Sequence, residues 1–175
     1  MQIENTLSTE RLTIRNCHKS DLPALTAMWF DAENGKYLSD PTREYVDDKF
    51  QRALDAIEEN PHGYYLALLL RGTETIIGSC FLFPEEEKEG SFALAYCIHK
   101  DHWRKGYATE LLHRIIDWVR ERGGTEVTAE AAKENIASDA LLRKIGFAVV
   151  GESSFQKYHM DVSFDSYVYR LALKE

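Results

Sequence analysis

Residues 102–111 read HWRKGYATEL: two adjacent cations, a glycine and two small residues where an amphipathic helix begins. Downstream, Ala108, Leu111, Leu112, Ile115, Ile116 and Val119 recur at helical spacing, and Gly123-Gly124 ends the run. Arg104 and Lys105 carry the wrong sign for this end of a helix. The backbone dipole and the unpaired N–H groups there favour anions, by about 0.3–1 kcal/mol each. A bound anion reconciles the cations with the dipole and uses the free N–H groups. Gly106 lets the backbone approach a ligand or adopt positive φ, and Ala108 and Thr109 keep the first turn open. A strand–loop–helix turn of this make suits a diphosphate; the competing reading is a solvated turn that binds nothing. Neither GxxxxGK[ST] nor GxGxxG after a strand occurs, so P-loop and Rossmann readings have no support.

Other chemistries find less footing. His18, His62, His99, His102 and His113 form no HExxH or clustered set, so no metal site is expected. Ser79 lies in IGSCF rather than in a GxSxG elbow, and no hydrolase triad is legible. Cys17, Cys80 and Cys97 are scattered without paired spacing, which suits reduced thiols in a cytoplasm. The net charge of −8 argues against a general nucleic-acid binder and is compatible with a cationic substrate. No run of about 18 apolar residues is present to span a bilayer, and the first residues lack the pattern of a signal peptide.

The 175 residues, 44% hydrophobic and 29% charged, fit one domain over 1–175. TERLTIR (9–15) alternates as a first strand. A helix follows with Ser20 or Asp21 as N-cap and Pro23 in its first turn. The spacing of Val46, Phe50, Ala53, Leu54 and Ile57 predicts a second helix from about Thr42 towards Glu59. GYYLALLLR, TIIGSCFLF and SFALAYCIH read as an antiparallel meander, with the acidic PEEEKEG as a solvated turn. After the helix at 107, TEVTAEA reads as a strand, NIASDALLRKIGF as a short helix closed by Gly146, and the remainder as one or two strands. The order specifies a mixed-sheet α/β (α+β) domain with about four helices.

WRKGYATELL followed by KENIASDALLRKIGF resembles the GCN5-related N-acetyltransferase (GNAT) superfamily, in the branch containing ribosomal-protein N-terminal acetyltransferases. LSTERLTIRNCHKSDLPAL resembles the opening of that branch. The resemblance implies a mostly antiparallel sheet with splayed middle strands, and acetyl-CoA bound at the basic loop. Backbone N–H groups around Arg104, Lys105, Gly106, Tyr107, Ala108 and Thr109 would hold the pyrophosphate, while the two cations add field. Pantetheine would pair with the strand edge near Ile98, Asn135 would bond its other side, and Ser138 would lie near the thioester sulfur. Trp103 departs from the superfamily's usual Gln or Arg, although an aromatic is familiar in this branch.

Acetyl transfer needs a neutral amine, a polarised carbonyl and a stabilised leaving thiolate. The backbone N–H near Ile98 could polarise the carbonyl. Many relatives carry a tyrosine at the position of Leu142, so Ser138 becomes the candidate acid; equally, it is a first-turn residue serving the backbone. A glutamate that recurs in the branch falls at Ala93. Glu130, alternating away from Val127, Ala129 and Ala131, and His159 are the candidate bases; the alternative for Glu130 is a side chain facing solvent, and for His159 a structural or exposed ring. Cys97 reads as core rather than as an acyl carrier, so transfer within a ternary complex is expected. The acceptor is a primary amine, a protein N-terminus or a small molecule, and the chain is a monomer or a homodimer. Because the familiar acid and glutamate are both missing, a non-catalytic acyl-CoA sensor is the alternative reading, and a plain phosphate- or nucleotide-binding protein is a third.

Overall fold

The computed structural model describes residues 1–173. Its strands are β1 (Leu7–Ser8), β2 (Leu12–Asn16), β3 (Tyr64–Leu70), β4 (Ile76–Pro84), β5 (Ser91–Ile98), β6 (Glu126–Ala132), β7 (Ala148–Gln156) and β8 (Ser163–Ala172). The helices are α1 (Leu22–Trp29), α2 (Asp48–Asp55), α3 (Tyr107–Glu121) and α4 (Ile136–Ile145). The strands form one sheet in the order β1-β2-β3-β4-β5-β6-β8-β7. This is the mixed α/β architecture that the patterning specifies, and its sheet is mostly antiparallel, as the resemblance implies.

One boundary differs. The helix expected over 42–59 is only α2, preceded by a 3-10 turn at Arg43–Tyr45. Val46 and Asp47 are extended between the two, and the Asp47 carboxylate accepts from Phe50 N–H at 2.7 Å. That N-cap restarts the helix where apolar periodicity alone runs on.

β3 is apolar on both sides because both sides are covered. Leu66 and Leu68 join the core under α3 and α4, with Leu111, Leu112, Ile115 and Trp118. Ala67 and Leu69 face the second core, with Leu25, Met28, Trp29 and Leu54 from α1 and α2. At the end of α4, Gly146 takes φ +112, and Phe147 packs back into the core with its N–H on Leu142 C=O at 3.0 Å.

The sheet splits where it matters. β5 and β6 are its parallel pair, and their register runs only from Ser91↔Glu126 to Leu94↔Ala129. β5 continues to Ile98 against β4 alone, and β6 continues to Ala132 against β8 alone. The gap between the diverging strands opens a cleft of about 1270 Å³.

Candidate active site

Both sides of the gap are lined by residues from distant parts of the chain: the 33–40 segment, β5, the loop before α3, β6, and the start of α4. The loop was the strongest signal in the sequence. Gly106 is the N-cap of α3 at φ +84 and Arg104 sits at φ +58, so two left-handed residues bend the chain into the helix. The first intrahelical bond is Glu110 N–H to Gly106 C=O at 3.1 Å. The N–H groups of residues 104–109 donate to no protein group among the described residues. Arg104, Gly106, Tyr107, Ala108 and Thr109 line the cleft, whereas Lys105 does not. The Lys105 ammonium turns back onto Asp101 C=O at 2.8 Å. Arg104 is therefore the cation of the pair that faces the cleft.

A buttress holds this loop from behind. Arg11 Nη1 donates to Lys105 C=O at 2.8 Å, and Arg11 Nε to Glu110 Oε2 at 2.7 Å. Glu110 also receives Arg11 N–H at 2.8 Å and the Thr9 hydroxyl. Burial opposes ionisation of Glu110, but hydrogen bonds from Thr9 and Arg11 outweigh it and hold the carboxyl below the usual range. The guanidinium lies 4.6 Å from the centre of the Tyr107 ring. With the Lys105 carbonyl satisfied from behind, the loop keeps its N–H groups for the cleft.

Ile98 marks the splayed edge. His99 N–H donates to Ile77 C=O at 2.8 Å, so the alternation of an antiparallel pair turns the polar groups of Ile98 away from β4. Its carbonyl is already taken, by Trp103 Nε1 at 2.7 Å and Asn34 Nδ2 at 3.3 Å. What Ile98 can still offer a ligand is its N–H. Trp103, the residue that departs from the superfamily pattern, locks the strand end. Asn34 is buried and also bonds Cys97 Sγ at 3.1 Å and receives Lys100 N–H at 2.6 Å, docking the 31–40 segment over β5.

That segment is anchored from the other side by Lys157, which is only 6% exposed. Its ammonium donates to the carbonyls of Gly35, Leu38 and Asp40 at 2.8, 2.8 and 2.9 Å. Burial lowers the Lys157 pKa against the pull of Asp40. Burial likewise raises the Asp40 carboxyl, against its own backbone N–H and Lys157, and Asp40 lines the cleft.

On the far side, Asn135 Oδ1 caps α4 by accepting Ser138 N–H at 3.2 Å. Its amide nitrogen donates to no protein group among the described residues, and Asn135 and Ser138 both line the cleft. Ser138 Oγ lies 2.9 Å from Tyr96 Oη. Leu142 is 1% exposed and belongs to the core, so α4 presents no second hydroxyl one turn further on.

The two candidate bases part company. Glu130 lines the cleft and accepts from the Ser166 hydroxyl. His159 sits at φ +54 in the β7–β8 connection, stacked on Tyr158 at 4.1 Å and 3.5 Å from Asp47, and is not among the lining residues. Tyr158 donates to the same carboxylate, at 3.1 Å from one of its oxygens, and Tyr167 also lies outside the cleft lining. Cys97 is buried, and burial pushes its thiol up to about 12, so it is no thiolate at neutral pH. Ser79 is occupied by Trp29 Nε1 at 3.0 Å.

Arg11, Glu110, Asn34, Tyr96, Asp40 and Lys157 were not singled out from the sequence. Only Glu110 left a local signal, as an acid in the first turn of α3.

A split sheet with a donor-rich turn at its gap is suited to hold an extended ligand with an anionic end. The profile described as an acetyltransferase (GNAT) domain matches residues 11–148, and the chain belongs to that family. The uncharacterized N-acetyltransferase p20 of Bacillus licheniformis is 28% identical over 150 residues, covering 83% of this chain and 84% of its own. Among solved structures, the acetyl transferase of Salmonella typhimurium that modifies the N-terminal serine of ribosomal protein L7/L12 superposes with TM-score 0.79. It is 14% identical, over 97% of this chain and 100% of its own. The spermidine N-acetyltransferase of Vibrio cholerae, solved with CoA and spermine, gives TM-score 0.75 at 18% identity over 94% and 96% of the two chains. Among the described residues no helix is long and apolar enough to cross a membrane.

Proposed function

We propose that this GNAT acetyltransferase moves the acetyl group of acetyl-CoA directly to a primary amine within a ternary complex. The observation that carries the reading is the row of unpartnered N–H groups at 104–109, opening on the gap between β5 and β6. The turn fits a diphosphate: its donors are free, Arg104 adds charge, and a Cβ on Gly106 would meet Arg11 Nη2 at 3.2 Å. Pantetheine follows the splayed edge, with the Ile98 N–H on one side and the free Asn135 amide nitrogen on the other. That N–H is aimed to polarise the thioester carbonyl. Ser138 faces the sulfur as the candidate acid, by hydrogen-bond donation. Glu130, exposed in the cleft, is the better placed base for an acceptor ammonium.

A buried, high-pKa Cys97 supports direct attack over an acyl-enzyme. The buried free thiols support a reducing, cytoplasmic setting. Two relatives in the fold act, by their names, on a protein N-terminus and on spermidine, and both acceptor classes suit a cleft lined by Asp40 and Glu130.

The test is CoA-thiol release from acetyl-CoA across amino acids, polyamines, aminoglycosides and ribosomal-protein N-terminal peptides, alongside thermal shift with acetyl-CoA and ATP. Amine-dependent thiol release and a larger shift with acetyl-CoA are expected. CoA binding without turnover on the whole panel would favour a sensor, and a larger shift with ATP would favour a nucleotide-binding protein.

A further inference from the structure

Tyr96 and Ser138 are 42 residues apart in sequence, yet their hydroxyl oxygens lie 2.9 Å apart at the mouth of the gap. The two side chains reach each other because the sheet splits. Tyr96 stands on β5 past Leu94, the last residue paired with β6, and its ring packs against the core under α3 and α4. Ser138 is in the first turn of α4, where Asn135 Oδ1 takes its N–H and fixes its backbone. Among the described residues each hydroxyl has the other as its hydrogen-bond partner. Both line the cleft.

Either oxygen is able to donate in this bond. Each hydroxyl carries one proton, and the phenol, with an ordinary pKa of about 10, is the stronger acid of the two and so the better donor. Burial pushes the Tyr96 phenol up, so it stays protonated through the working range. Cys80 and Cys97, the titratable groups that act on the phenol, are held as thiols by their own burial. Glu130, His102 and Arg104 line the same cleft. With Tyr96 donating, the hydrogen of Ser138 is left for the cleft, and a hydroxyl that accepts a bond donates a stronger one.

We propose that Tyr96 is a positioning residue for the leaving group: its hydroxyl donates to Ser138 Oγ and thereby aims the Ser138 hydrogen at the sulfur of the acyl donor. The inference rests on the acetyl-CoA reading above. In the reaction the bond from acceptor nitrogen to acetyl carbon forms and the carbon–sulfur bond breaks. The electron pair stays on sulfur, hydrogen-bonded to Ser138. The thiolate then takes, through solvent, the proton that the nitrogen has shed. Tyr96 and Ser138 keep their own protons over the turnover.

The test needs no acceptor. The affinities of CoA and of desulfo-CoA are measured by calorimetry from pH 6 to 10 on wild type, Tyr96→Phe, Ser138→Ala and the double variant. The ratio of the two affinities reports the thiol alone. A donor aimed at sulfur lowers the bound thiol pKa below that of free CoA, each unit being a tenfold gain in that ratio at high pH. The expected result is a rise with pH in wild type that both single variants reduce to a similar extent, and that the double variant reduces no further. Each change removes one hydroxyl, so unchanged desulfo-CoA affinity certifies an intact site. A Tyr96→Phe ratio that follows wild type overturns the proposal, as does a double variant in which the two losses add. A flat wild-type ratio with desulfo-CoA bound overturns it too, while leaving the cofactor reading standing. If neither compound binds wild type, both fall together.

Discussion

The Arg11 guanidinium donates to the Lys105 carbonyl at 2.8 Å, joining the start of the chain to the turn before α3. The same side chain meets Glu110 at 2.7 Å. One arginine therefore serves the carbonyl face of a loop whose N–H face is left for a ligand. The cations that oppose the helix dipole divide into different tasks: Arg104 faces the cleft, Lys105 closes the turn on Asp101, and Arg11 braces it.

Arg11→Ala should weaken CoA binding by about tenfold, the order of one charge-assisted hydrogen bond partly open to solvent. Calorimetry with CoA reads this directly. Arg11→Lys should recover little, because an ammonium cannot span Lys105 and Glu110 together. CoA affinity unchanged in Arg11→Ala would remove the buttress from the account.

Gly106→Val combines a left-handed backbone with a new side chain. Holding a β-branched residue at φ +84 costs about 1–2 kcal/mol. The added atoms also meet Arg11 Nη2, the movable end of a side chain, at the turn before α3. The melting temperature should fall, and the shift induced by acetyl-CoA should vanish. Gly106→Ala should show the smaller version of both effects. A valine variant that keeps the full CoA-induced shift would contradict the loop's proposed task.

Much of this was legible before the fold was known, and the reason is local. The period of α3, the glycine ahead of it, and Asn135 three residues before Ser138 are short-range patterns, and each lies where its spacing implies. The overrun of α2 is equally local in cause, since nothing in the periodicity reveals that Asp47 caps a fresh start. Arg11, Asn34, Tyr96 and Lys157 act through contacts of 42 to 122 residues in sequence separation. A single sequence carries no mark of such pairings. His159 illustrates the converse: a suitable intrinsic pKa says nothing about position, and the β7–β8 connection holds the ring outside the cleft lining.

Asp21 should govern part of the acid sensitivity of folding. Its carboxylate is buried and takes Arg15 Nη1 and Nη2 at 2.6 and 2.9 Å and His18 N–H at 2.8 Å. Burial opposes the charge, but Arg15 and His18 outweigh it, so the folded pKa lies below the unfolded value of about 3.9. A carboxyl depressed on folding contributes stability above the unfolded pKa and loses it as pH falls through the folded one. Urea titrations between pH 7 and 2 should show Asp21→Asn less stable at neutral pH and less sensitive to acid than wild type. Parallel curves for the two proteins would show that Asp21 carries none of the pH dependence.

Cys97 separates two routes for the acetyl group. In a ping-pong route it would attack the thioester, form an acyl-enzyme and release CoA before the amine arrives. That requires a thiolate, yet burial holds this thiol up at about 12, and Asn34 Nδ2 sits 3.1 Å from the sulfur. Direct transfer requires of Cys97 only that it fill its place in the core beneath α1 and α2. Cys97→Ala should therefore keep kcat within about threefold while losing about 1 kcal/mol of stability to the missing sulfur. Asn34 keeps Ile98 C=O as a partner in that variant, so the strand end stays locked. Iodoacetamide at pH 7.5 should leave Cys97 unlabelled in the native protein, and mass spectrometry after mixing with acetyl-CoA alone should find no added acetyl group. An acetylated Cys97 peptide, together with loss of turnover in the alanine variant, would replace direct attack by the acyl-enzyme route.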